Sequence, residues 1–268
     1  MNLSVSNIAW GKSDDRSALE LLARLGVHCL ELAPTRWWPD LAAVGDRQIA
    51  EVQNEWRPFG IRAVAFQAVL FGKPDLSVFD PATREPCLRY LESVVHLASR
   101  MEVSAIVFGS PKNRLRGSRS LLDVQGEALD FFQSIGETAV RHGVRFCFEP
   151  NPVQYGADFG CTMDESASFV EAVNSPGFWL NFDAGAIALN GEDPRLAVHR
   201  AGKKIGHYHI SEPYLGTFAM PLGNHEALAQ ELRTIDYQGV VSIEMKATER
   251  GLSAIEEAIH FARMVYPC

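Results

Sequence analysis

Short apolar runs alternate with amphipathic stretches from one end of the chain to the other. Candidate strands begin near Leu3, His28, Ile61, Ala105, Val144, Phe178, Ile205 and Val240. Between them, Arg16 to Leu25, Arg84 to Met101, Asp123 to His142, Glu165 to Val173, His225 to Ile235 and Ser253 to Met264 carry apolar residues every three or four positions, the period of a helix with one buried face. Strand then helix, repeated, predicts a parallel sheet, because parallel neighbours need a crossover and a helix supplies it. Eight such repeats favour closure into a (β/α)8 barrel of the α/β class over an open doubly wound sheet, and no Gly-rich phosphate turn follows the first run. No linker or low-complexity segment interrupts the pattern, so residues 1–268 are read as a single barrel domain. Gly26, Gly60, Gly143, Gly177 and Gly239 follow helical stretches and predict left-handed caps.

Four of the apolar runs end on a residue that an apolar strand cannot cheaply bury. Glu149 closes Val144 to Phe148, Asp183 closes Phe178 to Phe182, His209 closes Ile205 to Tyr208, and Glu244 closes Val240 to Ile243. A barrel gathers its carboxyl strand ends on one face, where the longer loops also lie, so the four are expected to converge. Each carboxylate pairing separately with an Arg or Lys at the barrel mouth is the competing reading, and four successive strand ends weigh against it. Three carboxylates and one imidazole suit a divalent cation, with Mn the first choice, Mg or Co next, and Zn less typical of so oxygen-rich a set. Glu149 and Glu244 come from opposite sides of this site. They would handle protons on either face of a hydroxy-carbonyl substrate, and a cation would stabilise the enediolate left when the carbon-bound proton departs. Both glutamates then need pKa values nearer neutral, with Phe66, Phe108, Phe148 and Trp10 as the candidate apolar walls.

Further polar residues surround these endings. His207 shares a strand face with His209 and reads as a substrate contact, a brace for Glu244, or a hydrogen-bonded barrel histidine. His225 precedes a helix at the same face and reads as a substrate group or a neighbour of the helix cap. Arg114, with Lys112 and Asn113, follows the fourth strand, where it would grip a phosphate, carboxylate or sugar hydroxyl unless the loop is merely solvated. Glu31 is expected to point into the barrel, with Cys29 and Ala33 on the other face, and to bind a hydroxyl or brace another polar group. Asn151, Asn7 and Gln67 are further hydroxyl contacts. Trp10, Trp37, Trp38, Phe71 and Tyr155 offer flat faces to a sugar ring, or ordinary loop packing.

Charge and cysteine usage narrow the partners. A net charge of -8, with Lys and Arg scattered, argues against a nucleic-acid surface and leaves a small molecule as the expected partner. The five cysteines form no C-x-x-C pair and no disulfide framework, no run reaches membrane-spanning length, and no secretory leader opens the chain. A cytoplasmic protein is expected, and Trp37, Trp38 and Phe71 would suit either a homo-oligomer contact or a substrate wall.

The strand endings FCFEPN, NFDAG, HYHISEP and VSIEMK, taken in order, resemble those of the xylose isomerase-like TIM barrels, and within them the sugar phosphate isomerase and epimerase family that includes ketose 3-epimerases. The resemblance covers essentially the whole chain. It implies that Glu149, Asp183, His209 and Glu244 bind the metal, with Glu149 and Glu244 as the acid and base of a sugar epimerisation. Two departures stand out. Ketose epimerases carry a substrate histidine three residues after the metal aspartate, where this chain has Ala186, and a substrate arginine in the loop after the seventh strand, where Ser211 to Phe218 contains none. Retained ligands with altered substrate contacts imply the same metal chemistry on a different sugar. The alternatives are a lyase or dehydratase from the same intermediate, or a noncatalytic sugar-binding barrel.

Overall fold

Each strand alternates large apolar residues with small or polar ones, and this alternation decides which face meets the helices. In the computed structural model, which describes residues 1–268, the strands are β1 (Asn2–Ser6), β2 (Cys29–Leu32), β3 (Arg62–Phe66), β4 (Ala105–Phe108), β5 (Arg145–Phe148), β6 (Phe178–Asp183), β7 (Ile205–Ser211) and β8 (Val240–Glu244). They pair in parallel in chain order, and β8 closes on β1 with Leu3 opposite Val241. The fold is the (β/α)8 TIM barrel expected from the repeat.

The helices are α1 (Asp15–Arg24), α2 (Asp46–Trp56), α3 (Arg84–Arg100), α4 (Leu121–Arg141), α5 (Met163–Val173), α6 (Ala184–Asn190), α7 (Pro194–Ala201), α8 (His225–Thr234) and α9 (Leu252–Val265). Six of them match the amphipathic stretches to within two residues. The other three, α2, α6 and α7, lie outside those stretches, although eight repeats call for a helix where α2 stands, between β2 and β3. α6 is made of small and apolar residues that show no polar face, and α7 spans only eight residues, too few for a period to stand out.

Outward-facing residues such as Val5, Leu30, Ile106, Phe146, Phe182, Tyr208 and Ile243 belong to one hydrophobic cluster of 73 buried residues between sheet and helices. A separate, small apolar cluster is made of Cys29, Val64, Ala65, Ala105 and Cys147. The strands also bury polar groups, and Ser4, Ser6, Glu31, Asn181, His207, His209 and Ser242 are among them.

Three expectations are corrected. Cys29 lies on the same inner face as Glu31, not the opposite one, because residues two apart on a strand share a face. Phe108 and Phe148 do not wall the polar strand ends: their rings pack against Phe132 of α4 with centroids 5.3 and 5.5 Å away, and Phe66 joins the same outer cluster. Of the five glycines, Gly26, Gly60 and Gly143 are left-handed, but Gly177 and Gly239 are not; Asn174 and Asp236 take that conformation instead. Gly177 is small for another reason. A Cβ there would lie 2.1 Å from the Gly136 carbonyl oxygen, so its absence lets α4 approach the start of β6. All five cysteines are free, and no helix is long and apolar enough to cross a membrane.

Candidate metal centre

The closed sheet brings the four polar strand endings together. Glu149 follows β5 directly, Asp183 and Glu244 end β6 and β8, and His209 sits two residues before the end of β7. The His209 Nδ1 atom lies 3.1 Å from Glu149 Oε1, 3.2 Å from Glu244 Oε2 and 3.6 Å from Asp183 Oδ2. One ligand atom from each of the four falls within 4.8 Å of the others.

Neighbouring groups hold two of the three carboxylates. Asn181 donates from Nδ2 to Glu149 Oε1 at 2.6 Å, and Asn151 donates to Glu149 Oε2 at 3.1 Å. A Cβ on Gly109 would stand 2.1 Å from Glu149 Oε2, so that position leaves the carboxylate its room. Asp183 is also the N-cap of α6: its Oδ1 accepts the Ala186 N–H at 2.5 Å, while Oδ2 accepts Ser211 Oγ–H at 2.7 Å. Ala186 is therefore a helix-cap partner of the aspartate and carries no side chain into the site.

A second polar layer lies beneath, closed from solvent. Glu31 Oε1 meets His209 Nε2 at 3.0 Å and His207 Nε2 at 3.1 Å, and Glu31 Oε2 accepts Ser242 Oγ–H at 2.7 Å. With Nε2 donating to Glu31, His209 turns Nδ1 toward the three carboxylates, the orientation a metal-ligating imidazole needs.

Charge explains the titration of this cluster. Burial pushes Glu244 up, opposed by His209 and reinforced by the charges of Glu149 and Asp183, to about 7. Burial alone would lower His209, but Glu244, Glu31, Asp183 and Glu149 together hold it well above the usual imidazole range. Glu31 is buried too, yet the two imidazoles keep it below the usual carboxylate range, and burial keeps His207 low. Carboxylates this close require a proton or a cation between them, and hard oxygen donors with one imidazole fit a divalent ion.

The linkage has a definite sign. A Glu244 carboxyl raised from 4.5 to about 7 contributes stability that is present below the lower value and lost as pH rises through the higher one. A cation entering the cluster replaces the protons on Glu244 and His209. Metal binding is therefore expected to release protons, tighten as pH rises toward neutrality, and raise the melting temperature more at pH above about 7 than below it. Calorimetry in buffers of different ionisation enthalpy checks this; binding with no proton release would contradict it.

The remaining predicted site residues divide by what they touch. Asn151 lines the cavity over the carboxylates. Arg114, expected to grip substrate, is fully buried behind Glu149: it donates from Nη2 to the Glu149 carbonyl at 2.7 Å and covers the Phe148 ring at 4.5 Å, and burial lowers it to about 10. Glu31 and His207 are likewise directed to protein partners below the cluster. His225 is bonded to Glu212 at 2.6 Å and the Tyr266 hydroxyl at 2.7 Å, so it does not stand in for the histidine absent at Ala186. Trp10 donates to Asp15 at 2.7 Å and is packed in the core. Sequence reasoning missed Asn181 and Ser211. Asn181 sits two residues before Asp183 and Ser211 two residues after His209, each on the same strand as its neighbour, so the two-residue period points to both.

Two adjoining hollows of about 220 and 430 Å³ open above the cluster and share Gly109, Pro111, Glu149 and Glu244. The first continues to Gln67 and Phe71, the second to Tyr155, Tyr214 and Lys246. Phe71 is largely exposed, whereas Trp38 is buried and Trp37 packs edge-on against Trp56. The two tryptophans are therefore occupied by the fold rather than offered as an open patch.

Residues 19–264 match the family described as xylose isomerase-like TIM barrel. An L-ribulose 3-epimerase from Methylomonas sp. (strain DH-1) is 21% identical over 243 residues, covering 90% of this chain and 81% of that protein. Among solved structures, D-psicose 3-epimerase with D-tagatose from Clostridium cellulolyticum H10 superposes with a TM-score of 0.82 at 18% identity over 100% of both chains. The IOLI protein with a bound zinc atom superposes with a TM-score of 0.73 at 17% identity, over 99% of this chain and 96% of that one. At such identities the structural likenesses establish the fold.

Proposed function

The chain belongs to the xylose isomerase-like TIM barrel family, and from that premise we propose that it is a divalent-metal-dependent sugar epimerase, with Glu149, Asp183, His209 and Glu244 as ligands and Glu149 and Glu244 as the proton-transfer pair. The carrying observation is that both glutamates reach the same imidazole nitrogen, at 3.1 and 3.2 Å, from strands on either side of a cavity they both line. A bound cation would supply charge stabilisation for the enediolate. Everything else falls to the chain's own groups. One glutamate takes the proton from the carbon next to the carbonyl, and the other returns a proton to the opposite face, which inverts that carbon. Asn181 and Asn151 hold Glu149 by both oxygens, so its carboxylate keeps one orientation through the exchange.

Mn is the metal we assign first, on the oxygen-rich donor set; the zinc-bearing relative supports a divalent ion without choosing among them. The ribulose and psicose epimerases support a ketose and a reaction at its third carbon, and favour epimerisation over the lyase outcome. A noncatalytic sugar-binding barrel would have no use for two opposed glutamates at one metal. The test is product analysis. Metal-loaded protein given a panel of ketoses is expected to form an epimer of at least one, and to stop when a chelator strips the metal. Elimination products with no epimer would contradict the reading.

A further inference from the structure

Besides its carboxylates, the larger hollow is lined by Tyr155, Tyr214, Leu215 and Lys246, from the loops after β5, β7 and β8. Tyr214 and Leu215 both have left-handed backbone, with φ of 60° and 56°, a conformation that costs a non-glycine residue energy and persists only where neighbours enforce it. Here they do. The Tyr214 N–H donates to Tyr155 Oη at 2.8 Å, the two rings meet edge-on at 5.5 Å, and the Lys246 N–H donates to the Leu215 carbonyl at 3.1 Å. Three loops are thus tied into one fixed surface.

We propose that Tyr155 and Lys246 form a subsite for an anionic end group of the substrate, a carboxylate or a phosphate. This deepens the epimerase reading and rests on it. Tyr155 Oη already accepts a backbone N–H, so its own hydroxyl hydrogen is left to donate into the hollow. The Lys246 ammonium can only donate. It pairs with none of the carboxylates lining the same hollow: Glu149, Asp183 and Glu244 face His209, and Glu212 is bonded to His225. Two donors that line one hollow, neither of them bonded to a carboxylate, complement a group that is all acceptors, whereas a sugar hydroxyl presents a donor as well. Lys246 is also the one cation among the residues lining the two hollows, in a chain of net charge -8 that otherwise repels an anion. Burial and the nearby charges of Asp183, Glu244 and Glu149 push Tyr155 up to about 12, which keeps its hydroxyl a donor at neutral pH.

Calorimetric titration of the metal-loaded protein with sorbitol, gluconate and sorbitol 6-phosphate tests this, since none of the three can be epimerised. One charged probe is expected to bind at least about tenfold more tightly than sorbitol, and which one does so separates carboxylate from phosphate. Lys246→Gln should abolish that preference, Lys246→Arg should retain it, and Tyr155→Phe should weaken the charged probe more than sorbitol. Equal binding of all three, binding of none, or an unchanged preference in Lys246→Gln would overturn the subsite. A charged preference in a protein that epimerises no ketose would instead overturn the epimerase reading and leave the subsite standing.

Discussion

Glu149→Gln and Glu244→Gln are each expected to lower turnover by about a thousandfold, while the fold survives. The amide keeps the shape of the side chain and loses the ability to take up or return a proton. At Glu149 the change also sets an NH2 against Asn181 or Asn151, both of which donate to the present carboxylate. At Glu244 it removes the carboxyl that burial raises to about 7. Because each substitution also weakens a ligand, metal content is measured alongside turnover. A variant that keeps its metal and loses turnover isolates the proton-transfer role. If both variants turned over normally, the proton-transfer assignment would fall; if the wild type merely bound sugar and both variants bound it equally well, the chain would be a binding barrel.

Truncating Glu31 is expected to have the largest effect on stability. It is wholly buried, and its two oxygens serve His207, His209 and Ser242 together. In Glu31→Ala, two buried imidazoles and a hydroxyl lose their shared acceptor, a loss of about 3–5 kcal/mol read from denaturant unfolding of the metal-free protein. Glu31→Gln keeps the volume but presents an amide hydrogen or a weaker acceptor to His209 Nε2. Its expected effect is a loss of metal affinity of about 10 to 100-fold with a smaller loss of stability. Unchanged metal affinity in Glu31→Gln would mean that His209 is oriented by its strand alone.

The fold and the convergence of the four polar strand endings are legible because both rest on short-range pattern. Apolar runs of strand length are hard to mistake when eight recur with helices between them, and a charged residue closing such a run is conspicuous on the same scale. Residues whose roles depend on the inside of the barrel were less legible. Glu31 could be placed inward, but only closure of the sheet set it between two histidines from β7 and a serine from β8. Arg114 reads as an anion grip from its loop position. Its side chain instead folds back under Glu149 onto the Phe148 ring, a direction that sequence does not encode locally. His225 was drawn away by Glu212 and Tyr266, the latter 41 residues distant in the chain. Tyr155 reads as a flat face in the sequence, and its hydroxyl gains a partner only because the fold brings the Tyr214 N–H of the β7 loop to it.

The central claim is that Glu149 and Glu244 exchange a carbon-bound proton at one metal centre. Solvent exchange measures that step directly: metal-loaded protein is incubated in deuterium oxide with a ketose it accepts, and the recovered sugar is examined by mass and NMR spectroscopy. The expected result is one deuterium at the inverted carbon in both epimers, none with chelator-stripped protein, and no epimer with Glu149→Gln or Glu244→Gln, where any exchange is confined to the sugar whose proton faces the remaining glutamate. Epimers formed without deuterium, or exchange that persists after both the metal and the glutamates are removed, would contradict it.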